Sequence, residues 1–438
     1  MEEKSISRRE AIRKTSLGAA GLALAFGGVN PHRVLGANER IRVGFVGLGG
    51  RCKSLIHAFQ ANAKDLNMEI GAVCDIWNKR LDSGSEFIAG LTGRMPKKAR
   101  NTDELWEMKD IEAVVFATAD FQHAYHCTEA VRTGRDIYIE KPLANRMVDA
   151  REVLKTVISS DRVVQVGTQR RSGMNYINAE KFIKSGKFGK IKMVDITWNV
   201  NQPKRWRHPD VVASLRQEDT DWNRFLVNRP YEPWNPRIYV EYRLFWPYSS
   251  GIPGQWMVHQ IDTVHWFSGY NHPNSVVANG GVYLWNDGRR NADTMTAVFE
   301  YGKADEKFQV SYSSRQTNSY GGVKEIFLSN SGAINLDTNQ ITGEGGLTAQ
   351  HSLDGKDHRL DEAKIPSGES LSTGLGEVDD MTVAHMRNFM ECIRSRKQPN
   401  ADIYAAYNHA IANCMTAEAL HTGKRVTFDE ARQEVVAD

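Results

Sequence analysis

The sequence predicts an α/β fold that begins with a doubly wound parallel sheet, and three observations carry this prediction. Short apolar runs alternate with helical stretches from residue 41 onward, as strands joined by helical crossovers do. The first apolar run turns on glycines directly into a helical stretch, and the second ends in an acidic residue. The length of 438 residues allows two or three domains, at roughly 100–200 residues per domain.

The composition is that of an ordinary globular protein, with 41% hydrophobic and 25% charged residues, which excludes disorder, collagen and a disulfide scaffold. The net charge of +3 lies entirely within residues 1–37, which hold six Lys/Arg and three Asp/Glu. A neutral remainder lacks the charge pattern of a nucleic-acid-binding protein, so no nucleic-acid partner is expected. The five cysteines are scattered without a CxxC pair, which favours free buried thiols and predicts no metal site.

Residues 1–37 have the features of an export signal. Arg8 and Arg9 precede an apolar run of small residues, 17–29, and further small residues provide a cleavage point before Asn38. Paired arginines before a weakly hydrophobic run are typical of a twin-arginine signal, so we expect a periplasmic or secreted protein. The alternative is a basic terminus before a short core helix. No other segment reaches the ~18 continuous apolar residues of a transmembrane helix, so none is expected.

The first strand and the turn after it have the pattern of a dinucleotide-binding unit. The apolar run 41–46 is followed by Gly47, Gly49 and Gly50 and then by a helical stretch. Gly47 permits a tight turn, and Gly49 lets the backbone approach a pyrophosphate whose charge lies at the helix N-terminus. Cys52 replaces the third glycine of the G-x-G-x-x-G motif and is small enough for close helix–strand packing.

The second strand strengthens this prediction. The run 69–74 ends in Asp75, 26 residues after Gly49. An acid at this place accepts hydrogen bonds from the adenosine ribose hydroxyls and repels a 2′-phosphate, so NAD is predicted in preference to NADP. The alternative role of Asp75 is a helix N-cap. Further strand-like runs complete the predicted Rossmann sheet at residues 112–117, 136–140 and 163–166.

The ends of the later strands predict where the chemistry takes place. Residues 117–123 follow the third run, and Glu140-Lys141-Pro142 follows the fourth. Ligands of open α/β sheets bind beyond the carboxyl ends of the strands, so Lys141 is predicted to lie near a nicotinamide ring. There it can hydrogen-bond the hydroxyl being oxidised, and burial beside a positive ring should lower its pKa. The alternative for Lys141 is a surface lysine at a strand end.

With these residues the chain resembles the Gfo/Idh/MocA oxidoreductase family, the relatives of glucose–fructose oxidoreductase and inositol dehydrogenase. The E-K-P motif of Glu140 to Pro142 is the most specific mark of that family. A second family motif, roughly D-x-x-x-H-x-x-D, is matched by His259 and Asp262, whereas Gln255 stands where the family usually has Asp. The resemblance covers essentially the whole mature chain. It implies a Rossmann domain followed by an α/β domain with a large open mixed or antiparallel sheet.

We therefore expect four segments: a twin-arginine signal peptide at 1–37, a Rossmann NAD-binding domain at 38–168, a substrate-binding open-sheet domain at 169–375, and a C-terminal helical segment at 376–438 that packs on both domains. The predicted catalytic residues are Lys141 and His259, of which His259 is the candidate general base. The predicted cofactor-binding residues are Gly47, Gly49, Gly50, Arg51, Asp75, Thr118, His123, Glu140 and Lys141. The predicted substrate-binding residues are Gln169, Arg171, Gln255, Trp256 and Asp262.

Four of these assignments have a purely structural alternative. His259 can be a core histidine, Asp262 can cap or orient the helix that carries it, and Gln169 and Arg171 can be structural residues at the domain junction. Gln255 forms hydrogen bonds but cannot carry charge or accept a proton, which leaves His259 or a nearby Tyr as the base.

Aromatic residues point to the class of substrate. Eight of the ten tryptophans fall between residues 198 and 285, interleaved with Arg and Tyr. Residues 202–253 show little periodicity and are predicted to be long loops, which are usually functional in a compact domain. Aromatic faces stack on sugar rings while Arg, Asn and Gln bind hydroxyls, so a carbohydrate pocket is predicted. Core packing is the alternative.

The predicted function is an exported NAD-dependent oxidoreductase that acts on a ring hydroxyl of a sugar or glycoside and keeps its cofactor bound and recycled. The first alternative is an NAD-dependent glycoside hydrolase that uses transient oxidation and elimination. The second is a non-catalytic sugar-binding protein on the same fold. The expected partner is a small carbohydrate, and a homo-oligomer is expected.

Overall fold

The computed structural model describes residues 39–343, 346–368 and 378–438. The predicted export signal, residues 1–37, lies outside these residues. Residues 41–438 hold two β-sheets with helices packed against them. No helix in the described ranges is both long enough and apolar enough to cross a membrane.

The first sheet has six strands, all parallel, in the order β3-β2-β1-β4-β5-β6. Its strands are β1 (Ile41–Val46), β2 (Met68–Cys74), β3 (Lys97–Ala99), β4 (Ala113–Phe116), β5 (Asp136–Ile139) and β6 (Val164–Val166). The connecting helices are α1 (Gly50–Ala63), α2 (Asn78–Thr92), α3 (Thr102–Glu107), α4 (His123–Arg132) and α5 (Met147–Ile158). This confirms the predicted Rossmann sheet. The strand order reverses beside β1, which opens a crevice between the ends of β1 and β4.

Both faces of this sheet are covered, which explains why its strands are continuous apolar runs. Alternate residues of β4 point to opposite sides: Val115 joins a cluster with α1 and α2, and Phe116 joins a cluster with α4 and α5. Strand β3 was not predicted because Lys97 and Lys98 are exposed and leave only Ala99 buried.

The second sheet has ten strands in the order β14-β13-β12-β11-β7-β10-β9-β8-β15-β16. Its strands are β7 (Ile191–Asn199), β8 (Ser275–Gly281), β9 (Thr294–Tyr301), β10 (Phe308–Arg315), β11 (Val323–Ser329), β12 (Ala333–Asn335), β13 (Gln340–Thr342), β14 (Ala363–Lys364), β15 (Val426–Asp429) and β16 (Glu434–Ala437). Neighbouring strands are antiparallel except β7 and β10. This is the predicted large, open, mixed sheet. Buried and less buried residues alternate along β10, as in a sheet with one covered face.

Helices cover that face. They include α6 (Met174–Lys184) and α10 (Val258–Ser268), and α10 is entered through a π-helical turn at Pro253–Met257. A π-helical turn widens the backbone locally and is frequent at functional sites. Here it carries two of the predicted substrate-binding side chains, Gln255 and Trp256.

The C-terminal segment consists of α11 (Asp380–Ser395), α12 (Ile403–Thr422) and the hairpin β15–β16. Helix α11 packs on the first sheet, where His385 Nε2 lies 2.8 Å from the Val166 carbonyl oxygen and Gln165 Nε2 donates to the His385 carbonyl. The segment was predicted to be helical, but its last residues extend the second sheet as two strands. The chain therefore returns to both sheets at its end.

Residues 202–253 were predicted to be long loops, and much of this segment is irregular. Three short helices that were not predicted interrupt it, namely α7 (Pro209–Ser214), α8 (Trp222–Leu226) and α9 (Pro236–Glu241). These helices share a separate apolar cluster that includes Trp222, Phe225, Tyr239 and the Rossmann-side residues Trp77 and Phe121. Helices of five or six residues are too short to show a helical period, which is why the sequence pattern missed them. The cluster packs this segment against the residues that follow β2 and β4, at the carboxyl ends of the strands of the first sheet.

Substitutions at two glycines of helix α2 test how the packing of this helix against Leu48 supports the turn after β1. A Cβ at Gly84 would lie 2.6–3.1 Å from side-chain atoms of Leu48, whereas a Cβ at exposed Gly90 meets no atom within 4 Å. We predict that Gly84→Ala lowers the free energy of unfolding by about 1–3 kcal/mol through overpacking. Gly90→Ala, the matched control, should raise it by about 0.5–1 kcal/mol. Urea unfolding measures both, and equal effects of the two substitutions would contradict this packing.

Candidate active site

The turn after β1 has the geometry that a dinucleotide pyrophosphate requires. Gly47 has a φ of +83°, and a Cβ there would lie 2.9 Å from the Ala117 carbonyl oxygen. Helix α1 begins at Gly50 without a side-chain cap, and a Cβ at Gly50 would meet no atom within 4 Å. The first N–H groups of this helix therefore face open space, which suits an anion.

Asp75 holds this turn in place. Its carboxylate accepts hydrogen bonds from the backbone N–H groups of Leu48 (2.7 Å) and Trp77 (2.9 Å). Burial raises the pKa of Asp75, and Arg80 together with the two backbone donors opposes this shift. The N-cap position of α2 is Trp77, so Asp75 is not the helix cap of the alternative hypothesis. Its contact with a ribose stays a prediction.

An ion pair joins helix α1 to the end of β5. Arg51 Nε donates to Glu140 Oε1 over 2.7 Å, and the backbone N–H of Lys141 donates to Glu140 Oε2 over 3.2 Å. Glu140 is buried. The glycine turn and the E-K-P segment are thus held together by one carboxylate.

Lys141 lies in a cavity of about 300 Å³ between the first sheet and the π-helical turn. Its Nζ donates to the backbone oxygen of Gln255 over 2.7 Å. Burial lowers the pKa of Lys141 to about 8, and Arg243 and Arg51 add to the shift while Glu140 and Asp120 oppose it. The ammonium group is therefore close to its titration point at neutral pH and has donors left for a ligand.

His259 lies in the first turn of α10 and lines the same cavity. Its imidazole forms no hydrogen bond with any of the described residues. Burial, followed by the charges of Lys141 and Arg170, lowers the pKa of His259 well below its usual value. The ring is therefore neutral at physiological pH and has a nitrogen available to accept a proton.

A carboxylate that the sequence analysis had not assigned lies beside Gln255. The Gln255 amide donates to Asp120 Oδ2 over 2.6 Å, and Ser249 Oγ donates to the same oxygen over 2.6 Å. Arg243 Nε donates to Gln255 Oε1 over 2.8 Å. Gln255 thus links the carboxylate of Asp120 to the guanidinium of Arg243. The carboxylate in this part of the site belongs to Asp120, which follows β4, and not to the residue at position 255.

Three tryptophans form one side of the cavity. Trp198 and Trp256 are stacked with ring centroids 5.8 Å apart, and Trp206 lies 5.2 Å from Trp256. The carbonyl oxygen of the Gln169 side chain is buried at the same cavity and has no hydrogen-bond partner among the described residues. The arrangement offers aromatic faces beside an unsatisfied polar atom, as carbohydrate sites do.

The structure brings most of the predicted site residues together. The predicted residues that line the cavity are Arg51, Thr118, His123, Glu140, Lys141, Gln169, Gln255, Trp256 and His259. His123 braces this group, because its ring nitrogens lie 2.7 and 3.2 Å from the carbonyl oxygens of Pro142 and Thr118.

Two predicted substrate-binding residues do not line the cavity. Arg171 donates to both carboxylate oxygens of Asp262 over 2.7 and 2.9 Å, and its guanidinium lies 5.5 Å from the Trp266 ring centroid. These two side chains are engaged with each other, and they orient α10 rather than present groups to the cavity. A structural role had been the stated alternative for both residues, but their pairing had not been predicted.

Several lining residues were not assigned from the sequence. They are Asp120, Trp198, Arg205, Trp206 and Arg243. All but Asp120 belong to the Trp- and Arg-rich part of the chain, so the composition signalled the class of residue but not the positions. Asp120 lies in the segment after β4, where only Thr118 and His123 had been selected.

The cofactor prediction agrees with known proteins. Residues 41–168 match the sequence model of the Gfo/Idh/MocA oxidoreductase family, described as an NAD-binding Rossmann fold. The inositol 2-dehydrogenase of Salmonella paratyphi B is 26% identical over 167 residues, which are 38% of this chain and 48% of that protein. The chain thus spans about half the length of the curated relatives it matches. The prediction of an NAD-binding Rossmann domain is confirmed.

Solved structures share the fold over nearly the whole chain. The WlbA dehydrogenase of Bordetella pertussis, solved with NADH and UDP-GlcNAcA, has a TM-score of 0.64 at 19% identity and covers 89% of this chain and 99% of its own. A levoglucosan dehydrogenase, solved with NADH and levoglucosan, has a TM-score of 0.63 at 16% identity with the same two coverages. At these identities the likeness shows the fold.

We predict that Asp75 sets cofactor choice. Asp75→Ser should weaken NAD binding by about tenfold or more, because it removes a charged acceptor from both the turn and the ribose, and it should weaken NADP binding less. The exposed acid Asp82, in the helix α2 that follows Asp75, provides the control Asp82→Ser, which should change neither affinity. Calorimetric Kd values for NAD and NADP test this. Tighter binding of NADP than of NAD by the unaltered protein would contradict the role of Asp75.

Proposed function

We propose that this protein is an NAD-dependent oxidoreductase that oxidises a ring hydroxyl of a sugar or glycoside. The observation that carries the proposal is the meeting of Lys141 and His259 on one cavity beside the glycine turn. One side chain is a buried ammonium with free donors, and the other is a neutral imidazole without a protein hydrogen bond in the described chain. A hydroxyl that contacts both is held and deprotonated at the same time.

The reaction divides between the cofactor and the chain. The glycine turn would hold the pyrophosphate of NAD, and the bound cofactor would supply the acceptor for the hydride that leaves the carbon bearing the hydroxyl. Lys141 donates a hydrogen bond to the hydroxyl oxygen and stabilises the negative charge that develops there. His259 takes the hydroxyl proton, and the C–O bond becomes a carbonyl. The Gln255 backbone oxygen fixes the position of Lys141 Nζ throughout.

The lining of the cavity supports a sugar as the substrate. Trp198 and Trp206, both partly exposed, provide apolar faces for the C–H side of a ring, and the Gln169 side chain provides an oxygen without a hydrogen-bond partner among the described residues. Dehydrogenases that bind NADH together with levoglucosan or UDP-GlcNAcA share the fold. A small polyhydroxylated ring is the ligand that fits this mixture best.

We predict that Lys141→Ala and His259→Ala each lower kcat by about 10²–10⁴ while the Kd for NAD changes little, because both groups act on the substrate. NADH formation with a panel of sugars and glycosides measures kcat, and calorimetry measures the Kd for NAD. His351→Ala, at an exposed position, is the matched control. Near-normal turnover in both site variants would contradict the proposal. Release of an aglycone from aryl glycosides without net NADH would replace it with hydrolysis through transient oxidation.

A pH profile separates the roles of the two residues. His259 is neutral and ready to accept a proton above its lowered pKa, and Lys141 is a charged donor below about pH 8. The value of kcat/KM should therefore be level near neutrality and fall as the pH rises through about 8. Lys141→Arg, which keeps its charge at high pH, should lose this fall in its remaining activity. A kcat/KM that rises through pH 8 would instead make neutral Lys141 the base.

We also propose that the protein is exported with NAD already bound. The support is the paired-arginine segment of residues 1–37, since the twin-arginine route carries folded proteins. Free NAD is scarce outside the cytoplasm, so an exported dehydrogenase must retain its cofactor and return the hydride to a second acceptor or to the same substrate. Protein purified from the periplasm or the medium and then denatured should release close to one nucleotide per chain. Exported protein without bound nucleotide, or protein that stays in the cytoplasm, would contradict this proposal.

A further inference from the structure

The charges of the cavity are unbalanced. Lys141, Arg205 and Arg243 line it, and none of them forms an ion pair with any of the described residues. Lys141 Nζ is bound to a backbone oxygen, Arg243 Nε to an amide oxygen, and Arg205 to the side-chain oxygen of Gln202 over 2.9 Å. Three cations thus face the cavity with neutral partners only.

The carboxylates of the cavity do not offset this charge. Among the described lining residues they are Glu140, which is paired with Arg51, and Asp120, which accepts from Ser249 and Gln255. After the Arg51–Glu140 pair is set aside, three cations face one anion. The oxidised nicotinamide ring carries a further positive charge.

Arg205 and Arg243 are the two cations whose donors are least satisfied. Arg205 Nε is buried without a hydrogen-bond partner in the described structure, and its guanidinium lies 5.5 Å from the Trp256 ring centroid. Burial and the neighbouring charge of Arg243 both lower the pKa of Arg205. Two guanidinium groups kept close together in a half-buried place repel each other unless an anion lies between them.

The position of this pair separates it from the cofactor phosphates. The turn that suits the pyrophosphate is bounded by Gly47, Gly50 and Arg51, all in the first sheet's domain. Arg205 and Arg243 instead belong to the segment at 202–253. Arg243 contacts the Gln255 side chain, while Lys141 contacts the Gln255 backbone. Gln255 therefore lies between Arg243 and Lys141, and both cations line the same cavity.

We propose that the substrate is a sugar acid whose carboxylate binds Arg205 and Arg243 while the hydroxyl to be oxidised lies at Lys141 and His259. The planar guanidinium fork matches a carboxylate with two parallel hydrogen bonds, and the partly exposed rings of Trp198 and Trp206 line the same cavity. This inference rests on the proposed function and specifies its substrate class.

The test compares neutral sugars with their matching uronates on the NAD-loaded protein. Calorimetry of glucose against glucuronate, galactose against galacturonate, and mannose against mannuronate should show at least one uronate bound about tenfold or more tightly than its neutral partner. Arg205→Gln should abolish most of that difference, and Arg205→Lys should restore part of it. Lys204→Gln, which removes the same charge from an exposed neighbouring position, should leave the difference unchanged. The Kd for NAD should be the same in all four proteins.

Several results would overturn the inference. One is a neutral sugar that binds as tightly as its uronate in every comparison. Another is a preference for the uronate that survives Arg205→Gln. A third is a loss of NAD affinity in Arg205→Gln, which would assign Arg205 and Arg243 to the cofactor. A sugar sulfate that binds more tightly than the matching uronate would assign Arg205 and Arg243 to another anion. If neutral sugars are oxidised and uronates do not bind, this inference fails and the proposed function stands. If the Lys141 and His259 substitutions leave turnover unchanged, the proposed function itself fails.

Discussion

The hydrogen bond from Lys141 Nζ to the Gln255 backbone oxygen is the contact on which the site depends. It joins the end of β5 in the parallel sheet to the helical turn that enters α10 in the second domain. Burying an ammonium group is unfavourable unless it is hydrogen-bonded, so this bond keeps the lysine inside the cleft and facing His259. The same burial brings the pKa of Lys141 to about 8. A lysine at an open strand end would remain an ordinary surface cation.

The residue at position 255 explains how the surrounding network is arranged. An aspartate there would place a second buried carboxylate in the neighbourhood of Asp120, and two neighbouring buried carboxylates disfavour each other's ionisation. Gln255 avoids this conflict, because its amide donates to Asp120 and its oxygen accepts from Arg243. The acid of this network is therefore Asp120, at the end of β4. In the mechanism that we propose, proton transfer is assigned to His259, whose pKa is well below its usual value.

The sequence predicted the parts of the molecule that have a local signal. Strands buried on both faces appear as continuous apolar runs, and a turn that must approach a phosphate appears as glycines, so the first sheet and the turn at Gly47 could be identified. Lys141 and His259 lie in short motifs and were predicted as well. β3 was missed because its two lysines are exposed. The helices of 202–253 were missed because five or six residues are too few to repeat the helical pattern of apolar positions.

Side-chain pairing could not be predicted, because it joins residues far apart in the chain. Arg171 with Asp262 and Asp120 with Gln255 are separated by 91 and 135 residues. Only the folded arrangement of β4, β6 and α10 brings these groups together. No local pattern distinguishes Asp120 and Gln255, which line the cavity, from Arg171 and Asp262, which do not.

A crystal structure of the protein with NAD and a bound sugar tests the central claim most directly. Our account predicts a single hydroxyl within hydrogen-bond distance of both Lys141 Nζ and a ring nitrogen of His259, with its C–H bond directed at the nicotinamide C4. A nicotinamide ring that lies away from Lys141, or a sugar whose hydroxyls contact neither residue, would contradict it.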